Sequence, residues 1–131
     1  MPELEYFVVA ESHSIDRDTG ALSIFNIFSE LRPEEFPFPF PMLMMISSWV
    51  SSDDEIARQD NVQVGIRIRV PGKPDEGPFH TNFTCGTRFQ NLVLGYEGLA
   101  IDAPGMIEVE LFLNNEHKAR HRIYVETREG D

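Results

Sequence analysis

The chain has 131 residues, one cysteine, and 22 acidic against 11 basic side chains, which gives a net charge of −11. A field of that sign repels phosphate backbones and argues against a nucleic-acid partner. Cys85 has no second cysteine to pair with, and no apolar run reaches the ~20 residues of a membrane-spanning helix. We therefore expect a single domain over residues 1–131 in the reducing cytoplasm, with no membrane partner.

An alternation of apolar and polar residues recurs along most of the chain. Its clearest instance is Val62–Val70, where every second residue is apolar and the residues between are Gln, Gly, Arg and Arg. Successive side chains of a strand point to opposite faces, so this segment predicts a strand with one buried and one solvated face. In chain order we predict strands at Leu4–Ala10, Leu22–Phe28, Met42–Val50, Val62–Val70, Phe79–Thr84, Arg88–Tyr96, Met106–Leu113 and Lys118–Thr127.

The segments between these strands are rich in turn formers. Asp16–Gly20 joins the first two strands, and Pro71–Pro78 is predicted to be a loop. The acidic segment after the third strand predicts one helical turn at Asp53–Arg58, with Ser52 as its N-cap. Short strands joined by Gly- and Pro-rich turns predict an all-β fold: an antiparallel β-sandwich, immunoglobulin-like or jelly-roll-like, of about seven to eight strands.

The last two strands predict a closing hairpin whose register follows from parity. Apolar odd-numbered residues must lie opposite other odd-numbered residues, because paired side chains share a face. A two-residue loop at Asn114-Asn115 would break that rule, so we expect a three-residue loop, at 114–116 or at 115–117. Glu110 would face Arg120 in the first case and Arg122 in the second.

The segment Phe36–Pro41 alternates phenylalanine with proline and must be extended, since proline restricts both itself and its predecessor. It is either a stiff connector whose rings pack on the edge of the core, or an exposed aromatic arm that docks on a second subunit. The strand that follows is the most apolar of the chain, and Trp49 near its end is a core or interface anchor. The predicted interface residues are Phe36, Phe38, Phe40, Met42, Met44 and Trp49.

Two stretches of the chain resemble one known family. Residues 19–28, then Pro33 and Phe36-Pro37, are similar to the opening strand and proline-rich crossing of a family of small uncharacterised bacterial all-β proteins. Residues 104–110 and Asn114-Asn115 are similar to that family's closing strand and turn, although Met106-Ile107 stands where an aromatic residue is common. The resemblance implies a β-sandwich and no established activity.

No catalytic or metal-binding pattern outweighs an ordinary structural role. Asp16, Asp18 and Gly20 begin like a calcium loop, but the position of the bidentate glutamate is occupied by Ile27. His117 and His121 would be ~13 Å apart along a strand, too far for one zinc ion. We expect no cofactor, no metal and no catalytic residue.

Three classes of function remain. The favoured one is a non-enzymatic β-sandwich module that binds a protein partner or self-associates, with a homodimer expected because the chain has apolar surface to spare. The first alternative is a structural subunit of a larger, phage-like or secreted assembly. The second is a weak metal-dependent binder or an enzyme that uses acidic loop residues.

Overall fold

The computed structural model describes residues 1–40 and 42–127, and this part of the chain forms eleven strands and one short helix. Pro41, the last proline of the Phe-Pro run, and residues 128–131 of the predicted domain lie outside the described residues. The elements in chain order are β1 (Glu3–Ile15), β2 (Leu22–Ile27), β3 (Glu30–Leu31), β4 (Phe38–Pro39), β5 (Leu43–Val50), α1 (Asp53–Arg58), β6 (Asn61–Arg69), β7 (Glu76–Thr84), β8 (Phe89–Tyr96), β9 (Ala100–Ile101), β10 (Gly105–Leu113) and β11 (Glu116–Val125).

The strands form two main sheets, which confirms the predicted all-β, sandwich-like class. The first sheet has the order β2-β1-β5-β8 and the second the order β3-β11-β10-β6-β7, while β4 and β9 form a separate pair. All pairings are antiparallel except that of β11 with β3, which is parallel. The sandwich is therefore mixed at one edge, where the sequence predicts antiparallel pairing throughout.

The core lies between the inward faces of the two sheets. On β6 the alternation predicted from the sequence is observed: Val62, Val64, Ile66 and Ile68 are at most 4% exposed, and they meet the inward face of the other sheet. β10 contributes a matching row, Ile107, Val109, Leu111 and Leu113, each at most 1% exposed. Burying one such aliphatic side chain stabilises the fold by roughly 1.5–3 kcal/mol, so these rows dominate its stability.

The predicted helical turn is present with its predicted cap. The Ser52 hydroxyl accepts a hydrogen bond from the Glu55 amide at 3.2 Å, and the Glu55 carboxylate accepts one from the Ser52 amide at 2.7 Å. This reciprocal arrangement is a capping box, which satisfies two amides that the first helical turn leaves without partners. Gln59, in the left-handed conformation at φ 52°, ends the helix.

Three of the observed strands are not predicted from the sequence. β3, β4 and β9 contain two residues each, too few for any alternation to be visible. β1 also continues to Ile15, five residues beyond its predicted end, because β2 pairs with it along that extension. β7 begins at Glu76, inside the predicted loop, and β5 begins at Leu43, one residue after Met42.

The predicted three-residue hairpin loop is wrong. Leu113 pairs with Glu116, so the loop is Asn114-Asn115, with both residues at positive φ (48° and 69°) as a two-residue hairpin turn requires. The register then shifts by one residue between Leu111 and Phe112, because Lys118 is bulged out of the return strand. Beyond the bulge odd residues face odd residues, and Glu110 faces Arg120. The parity argument therefore holds, but a bulge satisfies it instead of the loop.

Candidate interaction surface

Two of the six predicted interface residues are buried inside the chain. Trp49 is fully buried, and its indole N–H donates to the Ser47 hydroxyl at 2.8 Å, which satisfies its only polar atom. Phe40 is 3% exposed and makes an edge contact with Phe28 at 5.1 Å between ring centroids. Both residues belong to the core, so they drop out of the predicted surface.

Phe36 and Phe38 lie at one end of the sandwich and are half-buried against the core. The backbone of Phe38 pairs with Ile101, and its ring contacts that of Phe40 at 5.6 Å. These rings therefore pack on the edge of the core, as expected of a connector, rather than projecting as an arm.

Met42 and Met44 lie on the outward side of the first sheet. An added Cβ at Gly95 of β8 would be 3.2 Å from the sulfur of Met42 and 3.5 Å from that of Met44. Both thioethers therefore cover the glycine, and both side chains remain half-exposed. Of the predicted residues, these two are the ones that the structure places on a broad strand face.

That face is mostly apolar, with Glu3 at one corner as its charged position in register. Its most exposed members are Phe89 (67%), Ile27 (51%), Phe25 (47%) and Tyr6 (39%). The nearest acids in register are Glu3, opposite Val50 at one corner, and the neighbouring Glu5 in the bulge of β1. The outward positions, here called the neutral face, are Glu3, Tyr6, Val8, Ala10, Ser12 and Ser14 of β1, Ser23, Phe25 and Ile27 of β2, Met44, Ile46, Ser48 and Val50 of β5, and Phe89, Asn91, Val93 and Gly95 of β8. Of these, Ala10 and Ile46 are fully buried beneath the exposed members.

The outward side of the second sheet, here called the charged face, has the opposite character. Glu110 of β10 is only 7% exposed, and its Oε1 accepts hydrogen bonds from Arg67 Nε at 3.0 Å and Nη2 at 2.9 Å. Arg69 Nε lies 2.9 Å from the same oxygen, and His117 Nε2 lies 3.3 Å from Oε2. The carboxylate is thus the buried centre of a cationic cluster.

A second acid on the same strand repeats the pattern more loosely. Glu108 lies between Arg122 of β11 and Arg69 of β6 in register. Its Oε1 is 3.7 Å from Arg122 Nε and 4.0 Å from Arg120 Nη1, and its side chain is 27% exposed. The acids of the charged face therefore have partners within the chain, so this face needs no external one.

The sequence reasoning missed Phe25, Ile27, Tyr6 and Val93 as surface candidates. β1 and β2 carry apolar residues at both odd- and even-numbered positions. An antiparallel strand with one solvated face has apolar residues at only every second position. That doubled pattern is the signal of a second covered face, but it can be used only once the inward parity of each strand is known.

The other candidate residues have structural roles. The Thr19 hydroxyl donates to Asp16 Oδ2 at 2.7 Å, which lowers the pKa of Asp16 and closes the turn before Gly20 (φ 74°). Cys85 is fully buried, and His121 Nε2 lies 2.6 Å from the carbonyl oxygen of Phe28. Among residues 1–40 and 42–127, no three His, Cys, Asp or Glu side chains form a group able to hold a metal ion.

The described part of the chain has no helix long and apolar enough to span a bilayer. Comparison with known proteins finds no matching curated protein and no matching solved structure. A family model does match, from residue 5 in β1 to residue 126, just after β11, and so includes every strand described above. This match confirms the expectation of a family without an established role, and the strands described above confirm the all-β fold. The chain belongs to DUF6941, a family of unknown function.

Proposed function

We propose that this protein is a non-enzymatic β-sandwich module that forms a homodimer through the neutral face. The observation that carries the proposal is a wide, mostly apolar sheet face, with one acid, Glu3, at its corner, in a chain of net charge −11. Exposed contiguous apolar patches of this kind mark interaction sites on soluble proteins.

The size of the face suits a second copy. β5, at its centre, has eight residues. Four strands about 4.8 Å apart and eight residues with a rise of about 3.4 Å give roughly 500 Å² in projection. Two copies facing each other then bury at least about 1,000 Å², which meets the lower limit for a specific protein–protein interface.

The charge distribution favours a copy of this chain over a charged partner. An acidic or basic protein gains nothing from a neutral surface, whereas two neutral faces can meet without burying an unpaired charge. A two-fold axis lying in the plane of the interface, parallel to the sheet, would place the same residues on both sides, as isologous dimers do. We place the dimer in the cytoplasm of a bacterial cell, where a lone buried cysteine such as Cys85 stays reduced.

The test is sedimentation equilibrium of the wild type, of Ile27→Lys and of a matched control, Met106→Lys. Ile27 (51% exposed) lies on the neutral face, and Met106 (43% exposed) is an apolar side chain of similar exposure on β10. We expect a dimer with a dissociation constant in the micromolar range for the wild type and the control. For Ile27→Lys we expect a dissociation constant at least tenfold higher, which shifts the equilibrium toward the monomer. Added salt should strengthen the dimer, because it screens the repulsion between two acidic bodies.

Two results would reject the proposal. One is a wild type that stays monomeric at several hundred micromolar protein. The other is an equal effect of the two lysine substitutions, since that would make the association independent of the neutral face.

A further inference from the structure

A cavity of about 250 Å³ opens between the two sheets at the side formed by their edge strands β7 and β8. Its floor is Met45 of β5 and Ile66 of β6, which are 4% and 1% exposed. Phe79, His80 and Thr81 form the wall on β7, and Leu94, Gly95 and Tyr96 form the wall on β8. This cleft lies on the other side of the first sheet from the neutral face, because Leu94 and Tyr96 point inward, opposite Met45 and Leu43 in register. Gly95, which belongs to both, has no side chain and contributes only backbone.

The exposure of Phe79 shows that the cleft is open. Phe79 pairs with Ile66 and therefore faces the interior, yet it is 44% exposed while Ile66 is 1% exposed. The pairing of β7 with β6 shifts in register between Ile66 and Ile68 of β6, next to Gly77 of β7 at φ 94°. An added Cβ at Gly77 would lie 2.6 Å from the Ile66 carbonyl oxygen, so only glycine permits this approach. The bulge bends β7, and bulges are common beside binding sites.

The rim of the cleft carries an acid among aromatic rings. Glu76 pairs with Ile68, an inward position, and is a neighbour of Tyr96, which lines the cavity; Glu76 itself lies beside the lining residues and not among them. Burial and the Glu76 carboxylate raise the pKa of Tyr96. The rings of Phe79 and Tyr96 lie 5.4 Å apart at 46°. Among the described residues, Glu76 has no cationic partner, unlike Asp75 beside it, which lies 3.5 Å from Arg69 Nε.

We propose that this cleft binds a small amphipathic amine, with its apolar part between the sheets and its ammonium group at the rim beside Glu76. The size fits one ring with a short chain: an apolar cavity of about 150 Å³ admits benzene, and drug-sized sites begin at about 300 Å³. The rim fits an ammonium ion, which a carboxylate and the faces of aromatic rings both attract. The net charge of −11 adds to this preference, because it concentrates cations and repels organic acids.

The experiment compares three probes that share a phenyl ring and differ in their polar end: 2-phenylethylamine, 2-phenylethanol and 3-phenylpropionate. Binding is followed by two-dimensional NMR titration of the full chain, with shifts expected at Ile66, Thr81 and Leu94. We expect saturable binding of the amine, weaker binding of the alcohol, and binding of the carboxylate at least tenfold weaker than that of the amine.

Two substitutions and one control separate the parts of the site. Glu76→Gln should lower the affinity for the amine to that for the alcohol and leave the affinity for the alcohol unchanged. Asp75→Asn should change neither affinity. Leu94→Phe should fill the cavity and abolish binding of all three probes. If Leu94→Phe does not fold, the comparison of Glu76→Gln with Asp75→Asn decides the question by itself.

The proposal is overturned if no probe shows saturable shifts at the lining residues. It is equally overturned if the carboxylate binds as tightly as the amine, or if Asp75→Asn and Glu76→Gln weaken the amine alike.

Discussion

Glu110→Gln should destabilise the protein by about 1–2 kcal/mol. The substitution keeps the shape of the side chain but removes its negative charge, so its contacts with the Arg67 and Arg69 guanidinium groups change from ion pairs to hydrogen bonds with a neutral acceptor. That change costs about 1 kcal/mol for each bond, and we discount the sum because the two arginine side chains are 30% and 47% exposed. With an unfolding entropy of about 2.1 cal/mol/K per residue, the expected fall in Tm is about 4–7 °C.

The matched control is Glu108→Gln, two residues away on the same strand and the same face. Its ion pairs are 3.7 Å and 4.0 Å long, so we expect a loss below about 0.5 kcal/mol. Calorimetry of the wild type and both variants at 0.05 and 0.5 M NaCl provides the measurement. Salt should shrink the Glu108 effect and leave most of the Glu110 effect, because buried pairs are screened less. Equal Tm shifts for the two variants would refute the reasoning that burial decides the strength of these pairs.

Three further predictions concern a cap, a turn and a half-buried phenol. Ser52→Ala should cost about 1 kcal/mol in urea unfolding, because it removes the hydroxyl half of the capping box; an unchanged midpoint would mean that α1 does not depend on its cap. Asn115→Gly should raise Tm by a few degrees, since glycine adopts φ 69° without strain, and a fall in Tm would contradict this. Because the pKa of Tyr96 is raised above 10.0, stability is full below about pH 10 and declines as the pH rises through the folded-state pKa. Tyr96→Phe should flatten that decline in urea midpoints between pH 9 and 11.5, and an equal decline in both proteins would exclude Tyr96 as its source.

The predictions that succeeded rest on local physics. The alternation in Val62–Val70 specifies both the strand and its buried face, because side chains alternate whatever the strand pairs with. The cap at Ser52 is equally local, since donor and acceptor are three residues apart. These features are readable from one segment of sequence at a time.

What the sequence leaves open depends on distant segments. It allows Trp49 to be a core or an interface anchor, and the rings of Phe36–Pro41 to pack on the core or to project as an arm; the burial of Phe40 and Trp49 becomes visible only in the assembled fold. The neutral face becomes visible only when the pairing of β1 with β5 shows which parity points outward. The cleft beside Phe79 likewise exists only because β7 and β8 are both edge strands.

The bulge at Lys118 has a consequence for how this hairpin tolerates changes in length. A two-residue turn followed by one extra residue and a plain three-residue turn lead to the same pairing of Glu110 with Arg120. One residue can therefore move between turn and strand without turning the core side chains of β10 and β11 outward. The hairpin therefore has two solutions of the same chain length, so a substitution that disfavours the two-residue turn at Asn114-Asn115 can be absorbed by a three-residue turn while the remainder of the sandwich stays in place.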